Sequence, residues 1–307
     1  MGSWGDGLIR RVLILGGTGM LGHKVFQQAR TRFPETWCTV RGTRDESGLD
    51  RIGLAVPAAS VREHIDVMSW AAVSELLRQF RPDVVVNCIG IVKQREEAKA
   101  ALPSITINAL LPHRLAAELA GWNGRLVHIS TDCVFSGNRG HYTEDDASDA
   151  QDVYGRSKLL GEVTAANAIT LRTSMIGREL REHRSLLDWL LQQNGRTIKG
   201  FRRAFYSGLT TNELARVICN VIENHPGVNG LFQVTSDTIT KYDLLRLIVD
   251  AFGLEIRVEP DDEFFCDRSL VGERFHQATG YRCPPWPQLV DELRRDPTPY
   301  QHWQRQG

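Results

Sequence analysis

Arg11-Val12-Leu13-Ile14-Leu15 runs directly into Gly16-Gly17-Thr18-Gly19-Met20-Leu21-Gly22, and this junction decides the fold. A short β-branched and aliphatic run is what a parallel strand buried on both faces requires. The glycines then let the chain turn tightly, and residues 25–30 read as a helix. Glycines 16, 19 and 22 have the spacing G-x-x-G-x-x-G, while 17, 19 and 22 have G-x-G-x-x-G. In either register the missing Cβ lets the backbone approach a pyrophosphate, and N–H groups at the helix N-terminus hold the anion. Strand, glycines and helix in this order separate a dinucleotide site from an ordinary glycine-rich loop. Gly16, Gly19, Met20, Leu21 and Gly22 are therefore the cofactor-binding candidates.

Working outward, the chain alternates. Strands are expected at 11–15, 37–40, 63–66, 83–88, 125–130 and 168–173, with helices between them at 69–80, 105–120 and 154–166. Alternation of this kind implies an α/β fold of Rossmann type, a doubly wound parallel sheet covered on both faces. Pro112 is expected to kink the long third helix. After Thr173 the pattern loosens into helices near 186–193, 212–223 and 242–252 and a strand at 231–234. We therefore expect a dinucleotide domain over 1–175, elements near 205–235 returning to it, and a smaller substrate lobe over 176–307.

Composition narrows the function. The 307 residues carry 37 cationic and 37 anionic side chains, so no bulk field draws the chain to nucleic acid or to an anionic membrane. Cysteines 38, 88, 133, 219, 266 and 283 form no C-x-x-C pair, which argues against zinc and redox motifs and suits a reducing compartment. No apolar run reaches membrane-spanning length and no signal-peptide core opens the chain, so a soluble, cytoplasmic protein is expected. No carboxylate cage for a metal is evident.

About twenty residues beyond the glycines, an acid would select NAD through the ribose 2′-hydroxyl. This chain has Arg41 there, followed by Arg44. A guanidinium suits a 2′-phosphate, so NADPH is expected, with NADH as the alternative.

Tyr154-Gly155-Arg156-Ser157-Lys158 follows Ser130-Thr131-Asp132. Four residues are roughly one helical turn, so the phenol and the ammonium share a helix face. A neighbouring cation favours phenolate, and a threonine hydroxyl beside it would hold a carbonyl oxygen. That combination suits proton delivery to a ketone receiving hydride. With six lysines and six tyrosines, such a pair arises by accident about once in eight chains; the glycine turn gives it meaning.

Read together, these segments resemble an extended short-chain dehydrogenase/reductase of the dTDP-4-dehydrorhamnose reductase type. The resemblance rests on residues 16–22, Asp83-Val84-Val85-Val86-Asn87-Cys88, Ile107-Asn108-Ala109, residues 130–137, residues 154–158 and Leu171-Arg172-Thr173-Ser174, all in order. It implies Tyr154 as general acid, Lys158 as the residue binding the nicotinamide ribose, and Thr131 (or Ser130) as the group holding the substrate oxygen. It also implies Asp66, ending the third strand, near the adenine, and Asn87 and Asn108 along the cofactor path. Caps and loops use the same residue types, so for these three a structural role competes.

Departures matter too. Cys133 stands where these reductases usually carry tyrosine, Tyr206-Ser207-Gly208-Leu209-Thr210-Thr211 replaces a Gly-x-Pro-Thr segment, and Ile89-Gly90-Ile91-Val92-Lys93 is also unusual. The two segments border the sugar site in that family, so the substrate is expected to be either a dTDP-linked or a UDP-linked, 2-acetamido 4-keto-6-deoxy sugar. The 4,6-dehydratases of the family carry Asp-Glu after the threonine; Asp132-Cys133 lacks the second carboxyl, which disfavours elimination of water. Arg202-Arg203 and Arg268-Ser269 are the candidate cations for the nucleotide diphosphate, with Arg203, Arg268 and Cys133 taken as substrate-binding. Family members form dimers, some with Mg²⁺, and Trp286 and Trp303 are candidates for packing or self-association. Two alternatives stay open: an NAD-retaining epimerase, and a non-catalytic subunit, since that of methionine adenosyltransferase is similar to these reductases.

Overall fold

The computed structural model describes residues 11–49, 56–91, 100–181 and 183–300. In chain order it begins β1 (Arg11–Leu15), α1 (Gly22–Arg30), β2 (Glu35–Thr39), α2 (Arg44–Ser47), β3 (Val61–Arg62), α3 (Trp70–Phe80) and β4 (Val84–Asn87). There follow α4 (Ala101–Ser104), a π-helical turn (Ile105–Leu110), α5 (Leu111–Ala120), β5 (Arg125–Thr131), α6 (Val153–Leu160) and β6 (Ala168–Thr173). The remainder is β7 (Met175–Ile176), α7 (Leu186–Leu191), β8 (Thr197–Tyr206), β9 (Leu209–Thr210), α8 (Thr211–Asn224), β10 (Gly230–Gln233) and β11 (Ile239–Thr240). It closes with α9 (Lys241–Phe252), β12 (Arg257–Asp267), α10 (Glu273–Thr279) and α11 (Trp286–Arg294).

Seven parallel strands in the order β10-β6-β5-β4-β1-β2-β3 make the main sheet. The order reverses between β1 and β4, and ligands of such sheets bind at that switch point, outside the strand C-termini. Side chains alternate across it. Val12 and Ile14 of β1 join the core under α1 and α8, and Leu13 and Leu15 join the core under α3 and α5. This two-sided burial explains why β1 is apolar after Arg11 and β4 is apolar until its last residue, Asn87.

A second sheet, β11-β8-β12, packs on α9, with Tyr206, Leu245, Ile248, Trp286 and Leu289 in its core. Trp286 is thus an internal packing residue, its indole N–H donating to the Asp237 carbonyl at 2.7 Å; Trp303 lies outside the described residues. Neither long strand of this sheet was expected. β12 contains Pro260 and a run of acids, composition that reads as loop but is tolerated on an edge strand.

Three boundaries also differ from expectation. The third strand is Val61–Arg62 rather than 63–66, because His64 takes a left-handed backbone (φ 57°) and turns the chain away. Asp66 therefore follows the strand instead of ending it. α6 stops at Leu160 because the Thr170 hydroxyl engages both the N–H and the C=O of Val163, at 3.1 and 2.8 Å. The third helix starts at Ala101 and passes through the π turn just before Pro112, where a kink was expected. No described helix is long and apolar enough to cross a membrane.

Candidate active site

The glycine turn leaves β1 at the switch point. Gly16 has φ +81°, and its N–H donates to the Thr39 hydroxyl at 3.1 Å. Gly22 comes so close that a Cβ would lie 2.0 Å from the Gly16 carbonyl oxygen. Leu21 at the N-cap of α1 gives no side-chain cap, and the first turn of the helix holds no acid. Its N-terminal N–H groups therefore suit a pyrophosphate, and the glycine cradle fits a dinucleotide. Met20 is half-buried and Leu21 buried in this turn.

At the far end, Arg41 and Asp66 meet. Their charged groups are 3.5 Å apart, and the Arg41 side chain is 84 % exposed. Such a solvated pair is held weakly and leaves the guanidinium able to take a phosphate instead. Asp66 also accepts the Met68 N–H at 3.0 Å, shaping the turn before α3, whose N-cap position is held by Ser69.

The reaction groups gather at the end of β5. Asp152 caps α6 by accepting the Gly155 N–H at 2.8 Å, and the absent Gly155 side chain leaves room for the Cys133 carbonyl, which a Cβ would meet at 2.4 Å. This close docking sets the Tyr154 phenol beside the Thr131 hydroxyl. Thr131 donates to Asp132 Oδ1 and accepts the Cys133 N–H, both at 3.1 Å. Lys158 is buried and donates to the Ile129 carbonyl at 2.6 Å.

Here one expectation is corrected. Desolvation raises the phenol of the half-buried Tyr154 above its ordinary value, Cys133 adds to the rise, and the Thr131 hydrogen bond only partly offsets it. Desolvation also lowers Lys158 to about 8, with Glu162 opposing. The ammonium is spent on a backbone carbonyl, not on stabilising phenolate, so Tyr154 keeps its proton at neutral pH. A proton donor needs that state.

Both asparagines are buried fasteners. Asn87 takes the Ile89 N–H at 3.2 Å and contacts His128 Nδ1 at 3.2 Å. Asn108, in the π turn, clasps Ile91 through its N–H (2.9 Å) and C=O (3.2 Å) and donates to Ser157 Oγ at 3.1 Å. It thus ties the loop after β4 to the helix bearing Tyr154 and Lys158. Val92 and Lys93 of that loop lie outside the described residues.

Arg268 reaches the site and Arg203 does not. Arg268 donates to the carbonyls of Phe135 (2.8 Å) and Ser136 (3.1 Å), with Nη1 3.9 Å from the Cys133 sulfur. Arg203 lies on the exposed ribbon, 5.3 Å over the Phe265 ring, and Arg202 pairs with Asp262. The alternation of a strand places Arg203 on the solvent side of β8 while Ala204 turns inward.

The model of the RmlD substrate binding domain matches residues 10–265. The chain belongs to this family. Among curated proteins it is 30 % identical to a probable dTDP-4,6-dihydroxy-2-methyloxan-3-one 4-ketoreductase of Streptomyces antibioticus, over 77 % of this chain and 75 % of that protein. It is also 25 % identical to methionine adenosyltransferase 2 subunit beta of Xenopus tropicalis, over 93 % of this chain and 90 % of the relative. A dTDP-4-dehydrorhamnose reductase of Bacillus anthracis, crystallised with NADP, superposes with a TM-score of 0.71 at 18 % identity, covering 92 % of this chain and 98 % of that one. At that identity the superposition shows the shared fold.

Three groups around this RmlD-family site escaped sequence reasoning. Glu162, four residues after Lys158, accepts from Ser130 (2.6 Å) and from Arg172 Nε (2.9 Å) and Nη2 (2.7 Å), all of it buried. The i,i+4 spacing from Lys158 was the available signal. Removing one partner of a buried pair strands the other charge, so Glu162→Ala is expected to destabilise by about 3–5 kcal/mol in urea unfolding. A loss below about 1 kcal/mol, the range of an exposed pair, would contradict this burial argument.

The second group is the C-terminal segment. His23 Nδ1 bonds the Gly19 carbonyl at 2.9 Å, so Nδ1 carries the proton, and Nε2 accepts from the Tyr300 hydroxyl at 2.7 Å. Burial lowers this imidazole to about 4, keeping it neutral. Beside it the Lys24–Asp296 ion pair (2.5 Å) is almost wholly buried. Residues nearly 280 positions apart thereby fasten the glycine turn, with no local pattern to announce it. Tyr300→Phe leaves Nε2 unpaired, a cost of about 1–3 kcal/mol. Lower thermal stability and weaker dinucleotide binding are expected; an unchanged melting temperature would refute the clasp.

The third is Lys241, at the start of α9, whose ammonium lies 4.0 Å over the Tyr206 ring and senses Asp132, Cys133 and Cys266.

Proposed function

We propose that the protein is an NADPH-dependent 4-ketoreductase of a nucleotide-linked 4-keto-6-deoxy sugar, dTDP-linked or UDP-linked and N-acetylated. The observation that carries this reading is the convergence of Tyr154, Thr131 and Lys158 at the C-terminal end of β5, on a sheet whose glycine turn suits a dinucleotide.

A dinucleotide bound along the glycine turn supplies hydride to the ketone carbon. Tyr154 gives its phenolic proton to the ketone oxygen as that charge develops, so the carbonyl becomes an alcohol and the phenol a phenolate. Lys158, anchored on the Ile129 carbonyl, would hold the nicotinamide ribose. Thr131 now directs its proton to Asp132; turning that hydroxyl away from Asp132 lets it hold the substrate oxygen. The smaller lobe lends Arg268 to the sugar side of the pocket, where it meets Cys133 from the turn after β5. Arg41 takes the 2′-phosphate in exchange for Asp66.

The test is loss of NADPH absorbance with the two freshly generated 4-keto sugars. Turnover with either supports the reading and names the branch; turnover with neither overturns it. The likeness to methionine adenosyltransferase 2 subunit beta supports a second reading, a regulatory subunit that keeps the fold. Stoichiometric copurification of an enzyme partner, together with no ketone reduction, would favour it.

A further inference from the structure

Lys241 is a cation in an unfavourable place. It is the first residue of α9, where the helix dipole is already positive. The acid of that first turn, Asp243, is engaged with Thr240, accepting its hydroxyl at 2.6 Å. Burial lowers the Lys241 ammonium to about 8, and Asp132 only partly restores it. Among the described lysines, Lys24 bonds Asp296, Lys158 the Ile129 carbonyl and Lys199 Asp261. Lys241 alone of these has no oxygen partner among the described residues; only the Tyr206 ring faces it. Its three N–H donors are therefore left to solvent or to a bound acceptor.

β8 links it to Arg268: Phe205 pairs with Thr240 on one side and with Asp267 on the other, so Lys241 and Arg268 each follow a partner of the residue before Tyr206. Nε and Nη2 of Arg268 are fixed on loop carbonyls, so the Nη1 edge is held toward Cys133. Both cations sense Asp132, Cys133 and Cys266. Two positive groups thus face a single carboxyl, one oxygen of which is engaged by Thr131.

We propose that Lys241 and Arg268 form an oxyanion subsite beside the Thr131–Tyr154 pocket, in which Lys241 donates directly to the substrate. The inference rests on the nucleotide-sugar reading above and deepens it. Two parts of such a substrate carry the required chemistry, the diphosphate and a carboxylate on the sugar ring.

The test is calorimetric titration of the full chain, saturated with NADP⁺, with UDP, dTDP, UDP-glucose and UDP-glucuronate. Wild type, Lys241→Met and Lys241→Arg are compared, and an unchanged NADP⁺ affinity shows that each variant is folded. Lys241→Met is expected to bind at least about tenfold more weakly, the loss of one charge-assisted contact, and Lys241→Arg to recover most of it. Weakening with all four ligands assigns the subsite to the diphosphate; weakening with UDP-glucuronate alone assigns it to a sugar carboxylate. Equal affinities of wild type and Lys241→Met, or no binding of any of the four by wild type, overturn the inference. Lys241-dependent binding without ketone reduction would leave the subsite standing and overturn the reductase reading alone.

Discussion

Tyr154→Phe is expected to lower kcat by about 10²–10⁴, the usual contribution of a positioned general acid. The phenyl ring keeps the packing of α6 against the turn after β5 and removes only the hydroxyl beside Thr131. Lys158 and its bond to the Ile129 carbonyl are untouched, so NADPH affinity is expected to stay within about threefold, well under 1 kcal/mol. This split between turnover and binding is what distinguishes an acid from a structural tyrosine. Retained turnover would contradict the role; loss of cofactor binding as well would mean that the ring or hydroxyl supports the fold.

Gly22→Ala is expected to abolish detectable dinucleotide binding. The added Cβ would stand 2.0 Å from the Gly16 carbonyl oxygen and 2.9 Å from its carbon, both backbone atoms. No rotamer relieves that overlap. α1 must move off the turn, taking with it the N–H groups that suit the pyrophosphate. Overpacking of this kind also costs about 1–3 kcal/mol. Fluorescence titration with NADPH reads the first effect and thermal unfolding the second. Wild-type affinity would show that the cradle does not depend on this contact.

Both residues were legible because their chemistry is encoded within a few positions: glycine spacing after an apolar strand, and a phenol one helical turn from an ammonium. The sheet was legible for the same reason, since β1, β4, β5 and β6 are short runs bounded by turns. What spacing did not convey was electrical state. The Tyr154–Lys158 interval suggested phenolate, but burial of both groups, with Lys158 turned to a carbonyl, keeps the phenol protonated. Nor did local pattern show groups brought together by the chain's far end. Tyr300 meets His23 through tertiary packing, and Arg268 meets Cys133 because β12, an acid-rich edge strand around Pro260, runs to the loop after β5. Arg203 shows the converse. Its charge suggested phosphate, while its position on the ribbon turns it to solvent. Lys241 belongs to no motif, and only the pocket around it gives the residue meaning.

The most direct measurement is the fate of a deuterium carried at C4 of the NADPH nicotinamide when the protein is mixed with the dTDP-linked and UDP-linked 4-keto-6-deoxy sugars. The account predicts that the label appears at C4 of a sugar alcohol, with one NADP⁺ formed for each ketone reduced. A sugar recovered unreduced, with the label still on the nicotinamide, would contradict it.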